Sequence, residues 1–318
     1  MRPVVRPGAV LLRRDQAHLQ FGVEPGRAVV VRDSTSVRDL LAHLDGLLSR
    51  ELVLAACSDH AEAAATLDSL VGVGVVVDAD EMRSAPAPAE LAHLLGRQST
   101  ERADKDLRAR AAAAVGLDTT DASGTGLAIA VGELLAGSGV GRLVSDEAVA
   151  AQVARRVPPD RWRHSLPAGE PRPDVVVLVG SPVTGPDTER LAVAGVAHLA
   201  LSVMDGIAVV GPFVRPGATA CVACVDETLA ARDPAWPALV DQLRPAHRLP
   251  TGPSDLPPPR SRVLEGAVAA WAAREVLAHL AGAPVLTYGA SLRLDDGLVR
   301  QVVHRWALHP ACACSLLR

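Results

Sequence analysis

Aromatic side chains are close to missing from this chain: Phe, Tyr and Trp make up 2% of its 318 residues. Any core must therefore be built from Ala, Val and Leu. Lysine is scarcer still, since Lys105 is the only one among 32 basic residues. A surplus of positive charge is absent as well, and the net charge of -4 excludes the basic footprint of a nucleic-acid binder. No apolar run approaches the length of a membrane span, and Met1-Arg2-Pro3 does not open a signal peptide. What is present is globular in character, with 49% hydrophobic and 21% charged residues. At this length two or three domains are expected, in a soluble, cytoplasmic protein.

Cysteine is sparse but ordered. Four of the five cysteines fall in two pairs, Cys221-x-x-Cys224 behind a Pro-Gly turn and Cys312-x-Cys314 near the end of the sequence. Two such pairs can supply a tetrahedral four-cysteine shell, and four protein thiolates leave no open position, so the expected site is a structural zinc. A redox Cys-x-x-Cys belongs early in a βαβ unit and leaves the second pair unexplained. The fifth, Cys57, lies in an apolar run and reads as a small buried hydrophobe.

Short apolar runs at 8–14, 18–22 and 28–32, separated by Asp15-Gln16 and Glu24-Pro25-Gly26, predict antiparallel strands joined by tight turns. Asp33-Ser34-Thr35-Ser36 offers helix caps before Val37, Leu40, Leu41 and Leu44 at helical spacing. Further helices are expected over 49–57 and 60–71, with a final wing strand over Val73–Val77. This order describes a small winged-helix α+β module. Its edge strand, Val29-Val30-Val31, beside a helix presenting Ala64, Leu67 and Leu70, would form a groove for an extended peptide that adds a strand. Residues 81–103 read as a linker, with a domain boundary near 95–105.

Alternating strands and helices follow. Arg108–Gly116 suits a weak strand or a helix. The glycines Gly124 and Gly126 open an amphipathic helix, which leads to the strand Arg142-Leu143-Val144-Ser145 and then Asp146. That is the outline of a nucleotide-binding βαβ unit, with glycines for the tight turn and an acid for the ribose. Asp174–Gly180 reads as a buried parallel strand, Val196–Val203 and Ile207–Val214 as the next two, and 221–243 as helix broken at Asp233-Pro234. Residues 245–260 read as a crossover loop, Leu264–Leu280 as a long helix, and the segments around Asp295-Asp296-Gly297 as a hairpin that delivers Cys312 and Cys314.

The strand Val209-Val210-Gly211-Pro212-Phe213-Val214, the Cys221/Cys224 knuckle, Arg232-Asp233-Pro234-Ala235-Trp236-Pro237 and His309-Pro310-x-Cys312-x-Cys314 together resemble ThiF-like proteins of actinobacterial type. These belong to the ubiquitin-activating-enzyme-like superfamily. They serve thiazole/oxazole-modified microcin (TOMM) pathways as leader-peptide-binding or cyclodehydratase partner proteins. The resemblance implies a PqqD-like winged-helix recognition module over 1–95, a linker over 96–106 and a Rossmann-like ThiF-type domain with structural zinc over 107–318. It further implies a precursor leader peptide and a YcaO-type modifying enzyme as partners, and is compatible with a homodimer through the ThiF-like domain.

In the wider family the Rossmann-like half adenylates a carboxylate with ATP and Mg²⁺. Here the phosphate-contacting lysine has no counterpart, and Arg155 in Gln152-Val153-Ala154-Arg155-Arg156 only approximates the Asn-x-x-Arg motif. Gly180-Ser181-Pro182 stands where a metal-binding aspartate is expected. The expectation is a degenerate nucleotide site at Gly124, Gly126, Asp146 and Arg155, with no catalytic residue and without ATP or Mg²⁺. The alternative left open is an ATP-dependent enzyme that adenylates a peptide or protein C-terminal carboxylate.

Overall fold

The computed structural model describes residues 1–85, 87–145, 149–150, 152, 162–163, 172–180, 182–204, 206–243 and 260–314. The chain divides into two compact units, Met1–Arg108 and Ala109–Arg318.

The first unit runs β1 (Pro3–Val5), β2 (Leu11–Arg13), β3 (His18–Phe21), β4 (Val29–Arg32), α1 (Thr35–Ala42), α2 (Arg50–Ala55), α3 (His60–Gly72), β5 (Val76–Asp78), α4 (Ala79–Ser84), α5 (Pro88–Leu95) and α6 (Thr100–Ala112), which carries the boundary between the units. Ser34 accepts from the Val37 N–H to cap α1, and Asp59 accepts from Ala61 and Glu62 to cap α3. The core joins Leu40 of α1, Val53 of α2, Ala63, Leu67 and Leu70 of α3 and Phe21 of β3. Strands β2, β3 and β4 form a three-stranded antiparallel sheet in that order.

Two expectations are corrected here. The strand after α3 does not join the hairpin as a wing: β5 pairs with β1, an element the sequence reading missed, in a separate two-stranded sheet. Residues 81–103 do not serve as a linker but hold the end of α4, all of α5 and the start of α6. Pro88 sits at the first turn of α5, where its missing N–H has no intrahelical partner to lose. Met82, Ala92, Leu94, Leu95 and Ala103 then bury as a second small core.

The second unit continues with β6 (Ala114–Thr119), a 3-10 turn (Ala122–Gly124), α7 (Thr125–Gly137), β7 (Arg142–Ser145), β8 (Trp162–Arg163), β9 (Val175–Gly180), α8 (Gly185–Val193), β10 (Ala197–Met204), β11 (Ile207–Val214), α9 (Val222–Ala230), α10 (Trp236–Leu243), α11 (Arg262–Leu280), β12 (Ala290–Asp295) and β13 (Gln301–Arg305). One eight-stranded mixed sheet has the order β13-β12-β11-β10-β9-β6-β7-β8. Strands β8, β7, β6, β9 and β10 are parallel, and β11, β12 and β13 are added antiparallel. All six residues of β9 are buried, as a central parallel strand demands. Helices α7 and α11 pack together through small residues, including Ala128, Ala269, Ala272 and Ala273. Alanine thus does here what aromatics do in other cores, by letting backbones approach closely.

Candidate functional site

Cys221 stands at the N-cap of α9 and Cys224 one turn into it, after the turn Arg215–Thr219 that ends β11. The chain leaving β13 brings back Cys312 and Cys314. All four Sγ atoms lie within 4.8 Å of one another and all four residues are buried. Separations of 3.7 Å (Cys221–Cys224), 3.6 Å (Cys221–Cys312) and 3.3 Å (Cys224–Cys314) are too long for disulfides. They match the roughly 3.8 Å edge of a tetrahedron with metal–sulfur bonds of about 2.3 Å. Burial pushes the Cys221 thiol up to about 11 and Cys314 also upward, so the cluster does not gather four thiolates unaided. Cys224 goes the other way: burial opposes its ionisation, but the His309 N–H at 3.4 Å from its sulfur brings it down. The arrangement is a possible metal site of a composition that suits zinc, and its donor set and spacing fit that ion.

The sheet has its topological switch point between β6 and β9, where connections leave in opposite directions and a crevice forms at the strand C-termini. Contacts of the chain with itself lie close to it. The Thr120 N–H donates to the Val179 carbonyl at 2.8 Å, and the Thr120 hydroxyl lies where a side chain on Gly180 would go. Gly124 packs on Val179, so close that an added Cβ would stand 3.0 Å from it. Asp121 accepts from the Ser123 N–H at 2.8 Å and from the Ser123 hydroxyl, which sets a carboxylate just before the first turn of α7. α7 itself has no side-chain cap and no acidic residue in its first turn, so Asp121 stands ahead of the 3-10 turn that leads into it. The Arg260 guanidinium rests against Gly126 and is held by Glu265 at 2.8 and 3.1 Å. Of the sequence-expected nucleotide residues, Gly124 and Gly126 are thus brought to the crevice. Asp146, Arg155 and the crossover loop up to residue 259 lie outside the described residues. Asp121 and Arg260 were not singled out from sequence. The pattern Asp121-x-Ser123 ahead of a helix, an acidic N-terminal signature, could have pointed to the first of them.

Two cavities border α8. One of about 840 Å³ is lined by Thr119, Thr120, Leu178, Arg172 and residues of α8. The other, of about 260 Å³, lies between α8, α9 and α10, beside Asp226 and Trp236. Asp226 accepts from the Gly185 N–H at 2.9 Å and from the Trp236 indole at 3.4 Å, and burial pushes its carboxyl upward.

In the first unit β4 is an edge strand, paired among the described residues with β3 alone. The Asp33 N–H donates to the Ala17 carbonyl at 2.7 Å, so by alternation Val29 and Val31 turn their amides to β3 while Val30 and Arg32 turn theirs to the open edge. The side chains of Val29 and Val31 pack on the core together with Ala64, and Val30 is exposed. Leu67 and Leu70 do not line a groove: both are fully buried at 0% exposure. The expectation for them is corrected, because their helical spacing marked the face of α3 that packs inward. Cys57 is half-buried and packs against the same core.

No family model and no curated relative matches this chain. Solved structures do. The microcin C7 biosynthetic enzyme MccB in complex with N-formylated MccA aligns with a TM-score of 0.60 at 12% identity, over 99% of this chain and 100% of that one. E. coli MccB with ATP aligns at 0.56 and 13%, over 99% and 100%. The heterocyclase TruD aligns at 0.62 and 14%, over 99% of this chain and 42% of that one, so the chain spans under half of TruD. At these identities the likeness shows the fold, a mixed α/β architecture shared along the whole chain.

Proposed function

We propose that this chain captures the leader of a ribosomally made precursor peptide along β4 and presents it to a separate modifying enzyme, of YcaO cyclodehydratase type. The observation that carries this reading is the open edge of β4, with the amides of Val30 and Arg32 free to pair, in a chain whose fold runs end to end with a protein solved in complex with MccA. The first unit then works as a PqqD-like peptide-recognition module, and an extended peptide joins its sheet as a fourth strand. The second unit is the scaffold, tied together by zinc on Cys221, Cys224, Cys312 and Cys314. It carries no catalytic residue in this reading, and a homodimer through it is compatible with peptide capture.

The second reading is adenylation with ATP, favoured by the fold shared with MccB, which was also solved with ATP. Against it stand the Asp121 carboxylate and the absence of lysine beyond Lys105. The two readings separate by measurement. Leader peptides encoded beside this gene should bind the full chain in fluorescence anisotropy, with no ATP–pyrophosphate exchange. Exchange above background, or a chain that binds none of those leaders, overturns the proposal.

A further inference from the structure

Charge around β4 is distributed unevenly. The nearby arginines are engaged: Arg13 and Arg38 hold Asp33, Arg14 donates to Gln20, and Arg50 holds Asp68. Arg6, deeper in the unit, donates to the carbonyls of Gly74 and Ala92. Arg27 and Arg32 are both exposed and have no ion pair among the described residues. They are the two that bracket the open strand, Arg27 just before it and Arg32 at its last position. Of the nearby carboxylates, Asp33 is held by two arginines and Asp15 by His18 and the Ala17 N–H, while Glu24, exposed in the turn before Arg27, has no ion pair among the described residues. This basic edge belongs to a chain whose net charge is -4.

We propose that the β4 edge selects an acidic extended peptide, one whose carboxylates meet Arg27 and Arg32 while its backbone pairs with Val30. This rests on the peptide-capture reading above and adds the chemical class of the ligand. Strands advance by about 3.3 Å per residue, so the matching acidic side chains stand roughly four to six positions apart, with β-branched or other apolar residues between them. Arginine suits the task, because its planar fork donates two parallel N–H bonds to a carboxylate and stays charged at any working pH. Exposed pairs of this kind contribute modestly and are screened by salt, which makes the preference measurable without making it dominate affinity.

The test uses the full chain and three fluorescein-labelled peptides of about ten residues. They share an alternating Thr/Val centre and carry Glu, Gln or Lys at the two flanking positions. At low salt the Glu peptide should bind roughly three- to tenfold tighter than the Gln peptide, and the Lys peptide weakest. High salt should close the gap. In the double variant Arg27→Glu/Arg32→Glu, which touches no described contact, the order should reverse. Equal affinities, or a Glu preference that survives the double variant, overturn the charge assignment while leaving strand capture standing. A Glu preference untouched by Val30→Pro means attraction without strand pairing, and overturns capture at this edge. If none of the peptides binds, both fall.

Discussion

His198, at the second position of β10, is a residue whose surroundings decide its charge. It is fully buried, its Nδ1 lies 2.9 Å from the Val196 carbonyl, and its Nε2 meets no partner among the described residues. Burial lowers its pKa below the ordinary value. The folded chain therefore prefers the neutral ring, whereas the unfolded chain binds a proton readily near pH 6.5. The stability this contributes is present above that pH and is lost as pH falls through the region below it. His198→Leu should narrow the drop in melting temperature between about pH 7.5 and about pH 5.5. A drop as large as that of the unaltered chain would show that other groups, such as the partly buried His279, govern it.

Elements carry the next set of consequences. Because the Val29 amide faces β3 and the Val30 amide faces outward, two neighbouring prolines should behave differently. Val30→Pro should leave the melting temperature nearly unchanged and weaken peptide binding, by removing one outward donor. Val29→Pro should lower the melting temperature by removing a ladder bond between β3 and β4. Circular-dichroism melts beside anisotropy titrations would distinguish the two. In α3, Leu67→Glu is a test of the core and not of a groove. It places a carboxylate at 0% exposure and should cost roughly 3 kcal/mol or more, read as unfolding in urea.

At the scale of the whole molecule the cysteine cluster links Cys221 to Cys312, 91 positions apart, joining β11 and α9 to the chain beyond β13. One zinc per chain is expected by elemental analysis. Cys224→Ser or Cys312→Ser should release it and lower the melting temperature, since structural zinc contributes on the order of 10 kcal/mol of apparent binding energy. Full metal content in either variant would count against a four-thiolate site. Calorimetry with Mg–ATP should give no tight binding, because a triphosphate at α7 would meet the Asp121 carboxylate. Micromolar affinity lost in Gly124→Val would overturn that expectation.

Local spacing settles some of this molecule before any folding. Two cysteine pairs are legible as one metal shell because thiolate chemistry and tetrahedral number leave few alternatives. The β9 run Val175–Gly180 is legible as a central strand because only burial on both faces tolerates it. The helix opened by Ser34 announces itself by its cap. Tertiary structure decided the rest. Whether β5 joins the hairpin or β1 depends on partners more than seventy residues apart, which no local pattern encodes. Leu67 and Leu70 have the same helical spacing whether they face a groove or a core. Only the packing of α1 and α2 against α3 turned them inward. Most of all, Asp121 and Arg260 are far apart in sequence. It took the parallel sheet and the packing of α11 on α7 to bring both close to the N-terminal end of α7.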